Sequence, residues 1–107
     1  MYPLGYTQGV IEAQKTDVYV NWLDGLRDER ARARVLVRVE RLLAGNAGDI
    51  RPVGEGVSEL RIDYGPGYRV YFVRRGRALV ILLAGGDKGS QDADIRKALA
   101  LARNLSP

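Results

Sequence analysis

Histidine and cysteine are both absent from this 107-residue chain. Without imidazole the protein lacks the side chain most often used to move protons near neutral pH, and without either residue it lacks the commonest ligands of transition metals. Missing thiols also exclude disulfide staples and cysteine chemistry. No apolar run approaches membrane-spanning length, and the start Met1-Tyr2-Pro3-Leu4 has neither the basic nor the apolar region of a signal peptide. A cytoplasmic protein without a membrane partner is the expectation. Lysine is scarce as well: Lys15, Lys88 and Lys97 stand against fourteen arginines.

What is present bounds the rest. At 11.8 kDa the chain is long enough for a single core and too short for a second, so residues 1–107 are expected to form one domain. Hydrophobic residues make up 46% and charged ones 28%, which favours a globular chain over a disordered one. The net charge of +4 is carried by arginine, whose planar fork of donors suits phosphate and carboxylate groups. A polyanion, either nucleic acid or an acidic protein, is the leading target. An arginine-rich composition also follows from a high-GC genome, so position must decide.

Val10-Ile11-Glu12-Ala13-Gln14 reads as a short strand closed by Thr16-Asp17, either of which can cap a helix carrying Tyr19, Trp22, Leu23 and Leu26 at helical spacing. Those aromatics lie on an apolar stripe and are expected to pack. Asp28 caps a second helix running to about Ala44, with Val35, Leu36, Val39, Leu42 and Leu43 on one face and Gly45-Asn46 as its stop. Together they predict a helical hairpin. Arg30, Arg34, Arg38 and Arg41 form a stripe facing away from that apolar side, interrupted by Asp28, Glu29 and Glu40.

From Val57 the period changes to two, with Leu60, Ile62, Val70 and Phe72 even and Glu59, Arg61, Asp63, Arg69 and Tyr71 odd, across a Gly65-Pro66-Gly67 turn. Pairing Tyr64 with Tyr68 would set Leu60 against Phe72 and Ile62 against Val70 on the buried side. Arg61 would then oppose Tyr71, and Asp63 would oppose Arg69, on the other side. Removing Arg69 from that side is expected to leave the fold intact. After Arg75-Gly76, the run Ala78 to Ala84 is apolar throughout and predicts a central strand covered on both faces, its register open by one residue. Gly85-Gly86-Asp87-Lys88-Gly89 leads out of the sheet and lacks the context of a phosphate-binding glycine loop. Ser90 then caps a last helix bearing Ile95, Ala98, Leu99, Ala102 and Leu105.

Three stretches in this order, Pro52-Val-Gly-Glu-Gly-Val-Ser-Glu-Leu-Arg61, Tyr64-Gly-Pro-Gly-Tyr-Arg-Val-Tyr-Phe72 and Leu83-Ala-Gly-Gly-Asp-Lys88, resemble the RelE/ParE toxin superfamily. The closest likeness is to its HigB-like group of addiction-module killer proteins, also called phage Gp49-like, from about Gly9 to Asn104. The resemblance implies an α+β, RelE-like fold: an N-terminal strand and helical hairpin packed on an antiparallel sheet, then a C-terminal helix. It also implies a toxin of a type II toxin–antitoxin pair, an mRNA endonuclease that inhibits translation and needs neither metal nor cofactor. Related RelE-like enzymes cut mRNA on the ribosome by attack of a ribose 2′-OH on the adjacent phosphate. Its partner would be a small helix-turn-helix antitoxin.

Carried over onto this sequence, Arg69 matches the superfamily's middle-strand arginine and would stabilise the phosphate. Arg61 matches a cationic position on the preceding strand, and Lys88 the basic position after the last strand. Tyr71 would position or stack a base, and Asp87 would act in catalysis, orient Lys88 or satisfy loop amides. Glu59 departs from the pattern, standing where RelE-like enzymes tend to carry a second lysine, and Ala93 and Asp94 stand where an aromatic acid is missing. Two plainer readings compete: cross-strand ion pairs of Arg61 and Arg69 with Glu59 or Asp63, and a ParE-like inhibitor of DNA gyrase that cuts nothing.

Overall fold

The computed structural model describes residues 11–105. Its elements are β1 (Glu12–Lys15), α1 (Asp17–Asp24), α2 (Glu29–Leu43), β2 (Ile50–Gly54), β3 (Val57–Ile62), β4 (Tyr68–Arg75), β5 (Leu79–Asp87) and α3 (Gln91–Arg103), with a 3-10 turn at Lys88–Ser90. The five-stranded sheet runs β1-β5-β4-β3-β2, with β1 parallel to β5 and every other pair antiparallel. This is an α+β architecture consistent with a RelE-like fold. The expected first strand begins two residues later than Val10, which lies outside the described residues.

Short polar residues start both helices of the hairpin. Thr16 Oγ1 accepts from the Tyr19 amide at 3.1 Å and donates to the Leu83 carbonyl at 2.6 Å, so the cap of α1 is also its tie to β5. Asp28 accepts from the Arg30 and Ala31 amides at 2.9 and 3.3 Å, and these bonds, that from Ala31 foremost, hold its carboxyl below the usual range. The apolar face of α2 is narrower than its sequence implies. Ala31, Val35, Val39 and Leu42 are buried at spacings of four, four and three, whereas Leu36 sits one position off that stripe and is 40% exposed.

The sheet is covered on both faces. On one, Leu60, Ile62, Val70, Phe72, Val80 and Leu82 pack against Tyr19, Leu23, Val35, Val39 and Leu42 of the helical hairpin. On the other, Val57, Tyr71, Val73, Ile81, Leu83 and Ala84 pack against Ala98, with Ile95, Leu99 and Ala102 of α3 closing over them. Strand β5 is therefore buried on both sides, in keeping with its continuous apolar run. A bulge resolves its register: Tyr71 pairs with Ala84 and Phe72 with Leu82, leaving Leu83 as the extra residue.

Two expectations about β3 and its neighbours are corrected. The β3–β4 ladder pairs Ile62 with Tyr68, Arg61 with Arg69, Leu60 with Val70 and Glu59 with Tyr71, two residues away from the register expected from a Tyr64–Tyr68 pair. Tyr64 is drawn out of the ladder because its hydroxyl donates to Asp28 at 3.1 Å and its ring lies under the Arg34 guanidinium, 4.6 Å from the centroid. An even shift keeps each side chain on its expected face. The second correction is β2, which the sequence pattern missed. Ile50-Arg51-Pro52-Val53-Gly54 carries a proline and a glycine and no clear alternation, features tolerated at a sheet edge and with a bulge, which is where it lies.

No helix of the described residues is long and apolar enough to cross a membrane. Gly85 is required by packing rather than by backbone conformation: a Cβ there would lie inside the Trp22 indole, which also meets Tyr19 and Tyr68 at centroid distances of 6.1 and 6.4 Å. Gly85→Ala should therefore lower stability by about 1–3 kcal/mol through overpacking. Urea denaturation monitored by Trp22 fluorescence checks this, and an unchanged midpoint would show that the indole does not depend on the missing side chain.

Candidate functional site

Helix α3 covers only part of its face of the sheet. Beyond its first turn, toward the 63–67 loop, the face opens into a cleft of about 330 Å³ lined by Asp49, Arg61, Ile62, Asp63, Gly67, Tyr68, Arg69 and Lys88. Arg61 and Arg69 are cross-strand partners, an arrangement that repels unless each charge is answered. Asp49 answers Arg61 loosely, with Oδ2 3.9 Å from Nε, and both side chains remain substantially exposed. Glu59 answers Arg69 at 3.4 Å, and here both partners are buried, Glu59 completely and Arg69 to 6% exposure.

This buried pair sits in a polar network. The Arg69 Nη1 donates to the Gly67 carbonyl at 3.0 Å. The Oε2 of Glu59 accepts from the Tyr71 hydroxyl at 3.1 Å and from Gln91 Nε2, at the start of α3, at 2.9 Å. Among the described residues, Glu59 Oε1 and Arg69 Nε have no hydrogen-bond partner. Burial, reinforced by the negative charge and hydrogen bond of Glu59, drives the Tyr71 phenol far above its usual pKa.

Three of the expected site residues, Arg61, Arg69 and Lys88, thus line one cleft, with Lys88 exposed on the 3-10 turn. The other two are placed differently. Tyr71 is fully buried beneath α3, bonded to Glu59, and has no face free to stack a base. It was expected on an open surface because periodicity does not reveal that a later helix covers that side. Asp87 Oδ1 accepts from the Gly89 amide at 2.8 Å, capping the turn that carries Lys88, and its side chain belongs to a separate cleft with Trp22, Gly86 and Asp94. Ser90 supplies no side-chain cap to α3; its hydroxyl donates to Asp94 instead.

The arginine stripe of α2 is also divided. Arg30, Arg34 and Arg41 are exposed, but Arg38 turns inward and donates to the carbonyls of Arg61 and Ala47 at 3.0 and 3.3 Å, supporting β3 from below. Asp49 and Tyr68 are cleft residues that the sequence did not single out. Asp49 was hidden with the unrecognised β2, whose start it precedes. Tyr68 was read only as a turn-flanking residue, yet burial and the charges of Asp28 and Asp87 raise its phenol pKa. Among the described residues no group of three or more carboxylates is placed to hold a metal ion. Chemically, the cleft offers two guanidiniums and an ammonium able to engage phosphate oxygens, beside the carboxylates of Asp49 and Asp63.

The expectation that losing Arg69 spares the fold is corrected by its burial. Arg69→Ala leaves the Glu59 carboxylate buried without its cation and should cost about 3–5 kcal/mol. Arg61→Ala, which breaks only a loose, solvent-accessible pair, should cost about 0–1 kcal/mol. Denaturant titration of the two variants separates these values. Alkaline pH gives a second check. Burial pushes the Tyr19 phenol from 10.0 to about 12, and Tyr71 is raised further, so the folded state holds protons that the unfolded chain releases. The resulting stability should be complete below about pH 10 and lost as pH rises through the folded-state values. Tyr19→Phe should flatten the first part of that decline in pH-dependent melting.

Comparison with known proteins places these features in a family. The chain is 48% identical over 95 residues to an uncharacterized protein of Haemophilus influenzae, an alignment covering 89% of this chain and 96% of the relative. The family described as "Phage derived protein Gp49-like (DUF891)" matches residues 21–106, which include the second half of α1, all of α2, the β2–β5 meander and α3. With most of its length matched, the chain belongs to the phage-derived Gp49-like family, a RelE-like family of toxin type.

Proposed function

We propose that this protein is the toxin of a type II toxin–antitoxin system, HigB-like in character, and that it acts as an mRNA endonuclease that halts translation. The observation that carries the reading is the convergence of Arg61, Arg69 and Lys88 on one open cleft beside two carboxylates. Family membership supports a toxin-like protein, and the chemistry of the cleft supports RNA as the molecule it acts on.

In this reading the ribose 2′-oxygen forms a bond to the adjacent phosphorus as the bond from phosphorus to the 5′-oxygen breaks. The products are a 2′,3′-cyclic phosphate and a 5′-hydroxyl. Asp49 and Asp63 are the groups of the cleft suited to take the 2′-OH proton. Arg69, held rigidly at the back, and Arg61, at the mouth, face the two negative charges of the phosphorane. Lys88, or the Tyr68 phenol with its raised pKa, gives a proton to the departing 5′-oxygen. No step calls on a metal. A helix-turn-helix antitoxin with an acidic segment would neutralise the protein by answering the same cations, and its inhibition would compete with RNA and weaken with salt.

Mapping mRNA 5′ ends after brief induction, alongside cleavage of RNA by purified protein with and without ribosomes, tests the proposal. Arg61→Ala and Lys88→Ala, substitutions of a half-buried and an exposed side chain that anchor no core, should each slow cleavage about a hundredfold to a thousandfold while the protein stays folded. Unchanged rates in both would remove these cations from the mechanism. Intact RNA together with gyrase-dependent DNA breaks in the same cells would instead favour a ParE-like activity.

A further inference from the structure

We propose that Glu59 is a positioning residue of the cleft, clamping the Arg69 guanidinium from behind, and that Gln91 makes the start of α3 part of the same device. The inference rests on the nuclease reading above and identifies what fixes its central cation. Glu59 does not line the cleft and is wholly buried, so it touches no substrate; whatever it does, it does through its neighbours.

Stability does not account for the pair. Taking two charges out of water is expensive, and a buried ion pair offsets that penalty only when the remaining donors and acceptors are satisfied. Here one carboxylate oxygen and the facing Nε find no hydrogen bond among the described residues, and the two groups approach only to 3.4 Å. Apolar residues of similar volume would fill this space with less loss. Fixed geometry is what the arrangement does achieve. The guanidinium is held at Nε by Glu59 and at Nη1 by the Gly67 carbonyl, while the carboxylate is itself held by Tyr71 from β4 and Gln91 from α3. Three elements thus converge on one charge.

The other two cations differ in kind. Arg61 is 34% exposed at its side chain and loosely paired, and Lys88 stands in solvent on the 3-10 turn, so both must be ordered when a phosphate arrives. Arg69 is ordered beforehand. Its carboxylate partner also offsets part of its charge, which restrains attraction for a ground-state phosphate carrying one negative charge. A phosphorane carrying two draws more from the same fixed donor. The lysine expected at position 59 by resemblance could not act in this way, since it would repel Arg69 in a buried site.

The test is Glu59→Gln, which retains an oxygen for Tyr71 and removes the charge behind Arg69. With RNA cleavage as the assay, kcat should fall about tenfold to a hundredfold while KM stays the same or decreases. A purely structural role would raise KM and lower the melting temperature together, and unchanged kcat in the folded variant overturns the proposal. Gln91→Ala should give the same kcat-selective loss in weaker form, and it replaces Glu59→Gln if that variant does not fold. A second readout needs no catalysis. The Arg69 side chain, followed by nitrogen-15 relaxation at Nε, should be as rigid as the backbone in the wild type and mobile in Glu59→Gln; equal rigidity in both shows that Glu59 does not hold the guanidinium. Wild-type protein that cuts no RNA sinks the nuclease reading, and with it the clamp's catalytic purpose, whereas an active wild type with an indifferent Glu59→Gln sinks the clamp alone.

Discussion

Burial of the Glu59–Arg69 pair between the sheet and α3 is the constraint that most of this structure must satisfy. Each ion taken from water carries a penalty of several kcal/mol, so its partners have to be in place. Arg69 and Tyr71 come from β4 and Gln91 from the first residue of α3, which fixes both the strand register and the point where the helix begins. Sliding the β3–β4 ladder two residues, to the register that pairs Tyr64 with Tyr68, would set Glu59 opposite Val73 instead of Tyr71. A carboxylate would then lie in an apolar core without a donor. The Asp87-capped turn matters for the same reason, because it brings the chain from β5 round to Gln91 while leaving Lys88 outside.

The cleft is the part of the sheet face that α3 leaves uncovered. Where the helix lies over the sheet, Val57, Tyr71, Val73 and Leu83 form a second core; where it stops, the positions on the same strands become Arg61 and Arg69 and line the cleft. The opposite face supports this region. Arg38 reaches from α2 to the Arg61 carbonyl, and Tyr64 links the 63–67 loop to Asp28 and Arg34, so the mouth of the cleft is tied to the helical hairpin. Membership of a RelE-like family of toxin type and a cationic cleft on the middle strands are consistent with one another. Neither depends on histidine, which the chain lacks.

Local signals in the sequence were enough for most elements. The Thr16 and Asp28 caps, the helical spacing of Tyr19, Leu23, Val35 and Val39, and the alternation through Leu60, Ile62, Val70 and Phe72 each arise from forces acting within a few residues or across one turn. Alternation also put Glu59, Arg61, Arg69 and Tyr71 on a common face, since an even register error cannot move a side chain through the sheet. Strand β2 gave no such signal. An edge strand with Pro52 and Gly54 is held by its neighbour rather than by its own pattern, and Asp49 was lost with it.

The sequence by itself therefore determined an α+β chain with a basic, odd-numbered face on its middle strands, because side-chain periodicity and charge are properties of the segment alone. Only the tertiary structure decided which part of that face is core and which is cleft. That depends on where α3 lies, and its placement is a long-range packing outcome between residues more than thirty positions apart, as the Gln91–Glu59 bond illustrates. Burial turned Tyr71 from an expected surface ring into a donor for Glu59, and turned Glu59 from a departure in a motif into the partner of Arg69. The desolvation that makes such a pair costly away from water is absent from any linear reading of the chain, because it exists only once the helix has closed over the sheet.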